Sequence, residues 1–115
     1  MSLDVSLYIN VDTGGDKMKR ISLFDANITH NLSEMAEEAG IYEHLWRSEE
    51  IGAAQAKDIS NAVEKGLSLM KNDPARFKKF DDPNGWGLYK HFIPWIEKYL
   101  VALKEHPNAY IEVSR

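Results

Sequence analysis

Alternating apolar and polar residues predict β-strands at both ends of the chain. Residues 3–11 place their odd-numbered, apolar side chains on one face and the even-numbered ones on the other, as in a half-buried strand. A glycine-containing turn follows at 12–16, and the shorter alternation of 18–24 predicts the return arm of a β-hairpin. The same alternation over 109–113 predicts a closing strand.

Apolar residues at helical spacing predict a first helix after the hairpin. Asn31 is placed to cap this helix, and Glu34 three residues later completes the sequence pattern of a capping box. Gly40 predicts a left-handed stop, because glycine adopts positive φ without a steric penalty. A short helical segment is expected over 41–47.

Two further helices are predicted before the closing strand. Asp58 is expected to cap the second helix, and Pro74 suits the first position of another helical turn. The third helix is expected over about 86–105, with Pro94 inside it. Because proline removes a backbone donor, we expect either a kink near His91 or two abutting helices.

The order of these elements predicts an α+β fold. A small, mainly antiparallel sheet, made of the N-terminal hairpin and the C-terminal strand, is expected to carry about three helices on one face. The first and last strands are expected to share this sheet. With 115 residues, of which 43% are hydrophobic, the chain is predicted to form a single domain over 1–115.

Composition narrows the classes of function. The chain has no cysteine, which excludes disulfides, thiolate zinc sites and cysteine nucleophiles. A formal net charge of -4 argues against nucleic-acid binding through the phosphates. No segment has the pattern of a signal peptide or a membrane span, so a cytoplasmic protein that does not associate with membranes is expected.

Three polar residues ahead of the first predicted helix form the leading candidate site. Thr29, His30 and Asn31 offer a hydroxyl, an imidazole and an amide where free backbone amides of the helix N-terminus attract an anion or phosphate. In the alternative interpretation, Thr29 and Asn31 only cap the helix and His30 is a surface or turn residue. The sequence leaves both interpretations open.

Aromatic residues form a second candidate feature. In one interpretation they line a pocket for a base or a peptide, and Arg47 nearby binds an anion. In the other they belong to the hydrophobic core. Trp86 lies between Gly85 and Gly87 in a polar loop, and we expect its indole to be partly exposed. The aromatic residues are Trp46, Trp86, Tyr89 and Trp95.

Histidines and glutamates raise the question of metal or acid–base chemistry. His30, His44 and His91, taken with Glu38 or Glu43, match no zinc-binding spacing, so neither a metal nor another cofactor is predicted. His30 with a glutamate is conceivable as a general acid–base pair, yet no nucleophile or paired-carboxylate motif accompanies it. An enzyme is therefore the less favoured interpretation.

Five ordered motifs link the chain to a group of proteins. Through these motifs the chain resembles a family of small, mostly uncharacterised proteins encoded by bacteriophages and by prophages. The resemblance covers most of the chain from Phe24 onward, and it implies a phage or prophage origin without established catalytic residues. The motifs are NITHNL at 27–32, MAEEAGIY at 35–42, LWR at 45–47, NGWGLY at 84–89 and VSR at 113–115.

Two positions depart from the family pattern. Ser48 stands where the family has a proline after the Leu-Trp-Arg motif. Pro94 stands in the last helix, where the family lacks a proline, and this departure bears on the straightness of that helix.

The favoured hypothesis is a small non-enzymatic accessory protein. It would bind a partner protein of the host or phage, or sequester a small anionic, nucleotide-like ligand. A role in countering host antiviral defence is inferred from the resemblance alone. The alternatives are a small hydrolase or nucleotide-modifying enzyme that uses His30, and a structural protein that forms homo-oligomers. The candidate ligand-binding residues are Thr29, His30, Asn31, Arg47, Trp86 and Tyr89.

Overall fold

Three strands form one antiparallel sheet in the computed structural model, which describes residues 2–115. They are β1 (Ser2–Val11), β2 (Lys19–Thr29) and β3 (Tyr110–Ser114), and β1 lies between the other two. The predicted hairpin and the shared sheet of the first and last strands are confirmed. The α+β fold is confirmed with them.

Helices fill the chain between β2 and β3. Within residues 2–115, none of them is long and apolar enough to cross a membrane. The α-helices are α1 (Ser33–Glu38), α2 (Tyr42–Trp46), α3 (Ser60–Asn72), α4 (Pro74–Lys78) and α5 (Tyr89–Glu105). Short 3-10 segments are formed by His30–Leu32, Ser48–Ile51 and Ala56–Asp58.

The hydrophobic core lies between the helices and one face of the sheet. Leu3, Val5 and Leu7 of β1 are fully buried, as their alternation predicts. Helix α3 packs against α5 above them. The largest fully buried side chains include Trp46, Phe77, Phe92 and Tyr99.

A β-bulge interrupts the pairing of β1 with β2. Adjacent residues Leu7 and Tyr8 pair with Phe24 and Ser22, so Leu23 is the extra residue of the bulge. A bulge moves the side chains that follow it to the opposite face of the sheet. The alternation of apolar residues therefore changes phase in the middle of β2.

The predicted end of the second strand near residue 24 is wrong. Beyond the bulge, Phe24, Ala26 and Ile28 contact the core, whereas Asp25 and Asn27 are exposed. β2 continues in this new phase to Thr29, at the edge of the sheet. Residues 25–29, which lie beyond the predicted strand, are thus part of the sheet.

The predicted capping box of the first helix is also wrong. The Asn31 N–H donates to Oγ1 of Thr29 at 3.3 Å, so Thr29 caps the 3-10 segment that leaves β2. Helix α1 begins only at Ser33, and no side chain caps it. Its end agrees with prediction, since Gly40 has a φ of 77° in the left-handed region.

Asp58 does not cap the second predicted helix. Its carboxylate instead accepts hydrogen bonds from the backbone amides of Ala54 and Gln55, at 3.1 and 2.9 Å. Helix α3 starts two residues later without a side-chain cap. Pro74 does occupy the first turn of α4, as predicted.

Helix α5 is a single helix that runs through Pro94. The prediction of two abutting helices is wrong. The helix begins at Tyr89 rather than near 86, and the Tyr89 N–H donates to Oδ1 of Asp81 at 2.7 Å. The loop ahead of α5 therefore lies outside the helix, against the end of β2.

Candidate ligand-binding cleft

A cleft opens where the end of β2, the loop 82–88 and the first turns of α5 meet. Its volume is about 740 Å³. Clefts and cavities of roughly 300–1,000 Å³ are typical of small-molecule sites. The lining residues are Ser2, Asn27, Ile28, Thr29, Asn31, Leu32, Gly85, Trp86, Gly87, His91 and Trp95.

The loop presents Trp86 at the mouth of the cleft. Its flanking glycines have positive φ, 84° at Gly85 and 104° at Gly87. The Trp86 N–H donates to Oδ1 of Asn84 at 2.8 Å, which fixes the turn. The Trp86 side chain is left 69% exposed, and this confirms its predicted exposure.

Asn31 ties the loop to the end of β2. Its Nδ2 donates to the carbonyl oxygen of Trp86 at 2.9 Å. Gly87 is needed for this approach, because a Cβ there would lie 2.8 Å from Cβ of Asn31. These bonds do not use the side-chain oxygen of Asn31 or the hydroxyl proton of Thr29. Both atoms remain to serve as acceptor and donor.

Helix α5 contributes a second indole to the cleft. Nε1 of Trp95 donates to the carbonyl oxygen of Asn27 at 3.0 Å, and its ring packs against Phe92 and Tyr99. Trp95 is therefore a fixed wall with its only donor in use. His91, four residues earlier on the same helix, is exposed and lines the same cleft.

The lining of the cleft mixes apolar and polar groups and carries no permanent charge. Among the described residues, none that lines it is Lys, Arg, Asp or Glu. Nδ2 of Asn27 donates to Oγ of Ser2 at 2.9 Å and to Oδ1 of Asp4 at 2.7 Å. The nearby Asp4 carboxylate is thus engaged on the outer face of the sheet. The cleft offers amides, hydroxyls and aromatic rings.

His30 does not line this cleft. Its Nδ1 accepts a hydrogen bond from Nε1 of the buried Trp46 at 2.8 Å. Because Nδ1 is an acceptor, the proton of the neutral imidazole is on Nε2. His30 lines a second, smaller pocket with Asn31, Lys79 and Asp81. Thr29 and His30 therefore line different pockets, and Asn31 borders both.

Arg47 and Tyr89 do not line the cleft either. Arg47 donates to the hydroxyl of Tyr42 at 3.1 Å and to Glu50 at 2.6 Å, and these two partners raise the pKa of its guanidinium. The Tyr89 hydroxyl donates to the carbonyl oxygen of Met70 at 2.9 Å, and burial raises its pKa. Of the six predicted ligand residues, the structure brings together Thr29, Asn31 and Trp86.

Three residues of the cleft had no ligand role assigned from the local pattern. Ser2 lies in a strand with regular alternation, and Asn27 was expected outside the strands. His91 was considered only as a metal ligand. Among residues 2–115, no three His, Asp or Glu side chains are placed to hold a metal ion. The cleft forms where three separate elements meet, and the sequence of any one element does not reveal that meeting.

Comparisons with protein-family models, with curated proteins and with solved structures found no match. Function is therefore inferred from the chemistry of the cleft. Its lining can stack on a ring through an indole and bond to the ring edge through amides and hydroxyls. Within the described chain, the lining includes no pair of carboxylates and no histidine bonded to a nucleophile.

Proposed function

We propose that this chain is a small non-enzymatic protein that binds a ring-containing small molecule in the cleft. The observation that carries the proposal is the Trp86 indole, held 69% exposed by a hydrogen-bonded loop directly beside Thr29 and Asn31. A tryptophan is suited to this role, because its large ring offers contact area and it is enriched among the residues that dominate binding energy. The ligand stacks on Trp86 and bonds to the polar rim.

The energetics favour such a ligand. Stacking of a base on an aromatic side chain contributes about 1–3 kcal/mol. Hydrogen bonds at Trp86 N and Trp86 O fix the backbone of the loop, so little backbone entropy is lost on binding. A ring ligand therefore gains the stacking energy without having to order the backbone of the loop.

The biological setting of the proposal is a phage or prophage accessory protein in the cytoplasm of a bacterial host. The activity that fits this setting is sequestering a small molecule. Through this activity the protein would counter host antiviral defence. This part of the proposal rests on the resemblance of the five motifs. Binding to a partner protein stays a prediction of the same resemblance.

A ligand panel tests the proposal. We expect at least one class among nucleosides, nucleotides, free sugars and short oligosaccharides to change tryptophan fluorescence saturably and to raise the Tm. Trp86→Ala should weaken that binding at least about tenfold, since it removes the stacking platform.

Met18→Ala is the matched control, because Met18 is 57% exposed and lies near the hairpin turn, outside the cleft. It should bind as the wild type does. The proposal is overturned if no member of the panel binds, or if Trp86→Ala binds with unchanged affinity.

A further inference from the structure

We infer that the ring bound in the cleft carries a positive charge, as an N-alkylated heteroaromatic ring does. The cleft binds such a ring in preference to neutral and anionic rings of similar shape. The inference rests on the proposed function and specifies the chemical class of its ligand. It is drawn from the two indoles of the lining and from the charged groups that surround them.

The indoles supply the attraction for a cation. Trp86 is 69% exposed, and Trp95 is partly buried in the same lining. The face of an aromatic ring has negative electrostatic potential, and indole attracts a cation more strongly than the rings of Tyr or Phe do. A planar cation therefore gains the stacking contact of a neutral ring and an electrostatic attraction in addition.

Hydrogen bonds connect one of these indoles to a carboxylate through a single residue. Nε1 of Trp95 donates to the carbonyl oxygen of Asn27 at 3.0 Å, and Nδ2 of Asn27 donates to Oδ1 of Asp4 at 2.7 Å. An acceptor on the indole N–H makes the ring richer in electrons, because hydrogen bonds polarise the groups that they join. The Asp4 carboxylate adds negative potential without lining the cleft.

Basic side chains do not oppose this potential. Within residues 2–115, no Lys or Arg lines the cleft, and no Lys or Arg side chain donates a hydrogen bond to a residue that does. The formal net charge of -4 also attracts cations and repels anions. An anionic ring, one of the ligand classes expected from the sequence, would have no ion-pair partner among these side chains.

Three ligands built on one ring system test the inference. N-methylquinolinium is a permanent cation, quinaldine is neutral with its methyl group on the neighbouring carbon, and quinaldate carries a carboxylate on that carbon. Isothermal titration of the full chain compares them at about pH 8, where histidine side chains are uncharged. The cation should bind at least about threefold more tightly than quinaldine, as expected for attraction to an aromatic face. Quinaldate should bind no more tightly than quinaldine.

Variants of Trp86 separate the attraction to an aromatic face from apolar contact alone. Trp86→Phe keeps such a face, whereas Trp86→Leu keeps apolar area without it. The preference for N-methylquinolinium over quinaldine should be at least about twofold smaller in Trp86→Leu than in Trp86→Phe. Because the readout is a ratio of two affinities, a general loss of binding does not change it.

A charge placed at His91 tests the potential of the cleft. His91 is exposed and lines the cleft, so His91→Lys adds a positive charge there with little effect on folding. His91→Gln is the matched neutral control. Compared with that control, His91→Lys should bind N-methylquinolinium at least about threefold more weakly, because like charges repel. It should bind quinaldate more tightly.

The outcomes separate the inference from the proposed function. If N-methylquinolinium binds no more tightly than quinaldine, or if quinaldate binds most tightly, the inference is overturned and the ring-binding function stands. An equal preference in Trp86→Leu and Trp86→Phe, or identical binding by the two His91 variants, would also overturn the inference. Failure of these three rings alone would do the same. Failure of these rings and of the nucleoside and sugar panel would overturn both.

Discussion

The imidazole of His30 accepts a 2.8 Å hydrogen bond from the buried indole of Trp46. His30→Ala removes this acceptor and leaves the indole N–H unpaired in the core. We expect the variant to lose about 1–3 kcal/mol of unfolding free energy. Ligand affinity should stay near the wild-type value, because His30 does not line the cleft. Urea denaturation and ligand titration measure the two effects.

His91→Ala is the matched control for this prediction. His91 is exposed and lines the cleft, so its removal should change stability by less than about 0.5 kcal/mol. A variant His30→Ala that kept full stability and lost ligand binding would show the reverse assignment, with His30 as a ligand residue.

At the scale of elements, helix α3 approaches the connection between α1 and α2 through Gly66. A Cβ at this position would overlap the side chain of Ile41 and lie 3.2 Å from the carbonyl oxygen of Ala39. Alanine improves helix propensity by about 1 kcal/mol over glycine. Overpacking a core contact costs about 1–3 kcal/mol. We therefore expect Gly66→Ala to destabilise the protein by about 1 kcal/mol net.

Ser68→Ala serves as the control for the helix-propensity contribution. Ser68 lies on the exposed face of α3, where alanine meets no neighbouring helix, so the variant should be slightly more stable than wild type. Thermal unfolding of both variants gives the comparison. A stabilised Gly66→Ala would mean that α3 lies farther from Ile41 than the structure has it.

At the scale of the whole molecule, hydrogen bonds lower the pKa of several carboxyl groups. Their donors are hydroxyls, backbone amides or arginines, all of which favour the ionised form. These groups are Asp25 with Ser22 and Ser6, Glu49 with Arg115, Asp58 with the amides of Gln55 and Ala54, and Glu112 with Arg20.

Stability should therefore decrease in acid. A lowered pKa in the folded state stabilises the protein fully above the ordinary values of 3.8 for Asp and 4.5 for Glu, and this contribution is lost as pH falls through the folded values. We expect the urea midpoint to fall below about pH 4. A midpoint that stayed constant on acidification would contradict this prediction.

Two comparisons identify the carboxylates responsible. Asp58→Asn removes one of the groups and should flatten the acid dependence. Added salt should weaken the contribution of the exposed Glu112–Arg20 pair, because ions screen exposed charges. The contribution of Asp58 should persist in salt, since its partners are backbone amides.

Local patterns were sufficient for several parts of the fold. The alternation of β1, the left-handed stop at Gly40 and the position of Pro74 were all predicted correctly. The exposure of Trp86 belongs with them. Each depends on the backbone preferences of a residue or on interactions between residues a few positions apart, and both can be read along the chain.

Longer-range contacts decided the course of β2 and the role of Asn31. Pairing with β1 places a bulge at Leu23, and the pattern of apolar residues then continues in the opposite phase to Thr29. Asn31 would suit a helix cap, but its side chain donates to Trp86, 55 residues away. Neither outcome is visible within a short window of sequence.

The sequence by itself determined which side chains could serve a site: the hydroxyl of Thr29, the amide of Asn31 and the exposed indole of Trp86. Only the tertiary structure decided which of them meet. His30 is hydrogen-bonded to Trp46, and Arg47 is hydrogen-bonded to Tyr42. Neither side chain lines the cleft. The physical reason is that chemical character belongs to a residue, whereas the distance between two residues depends on how separate elements pack.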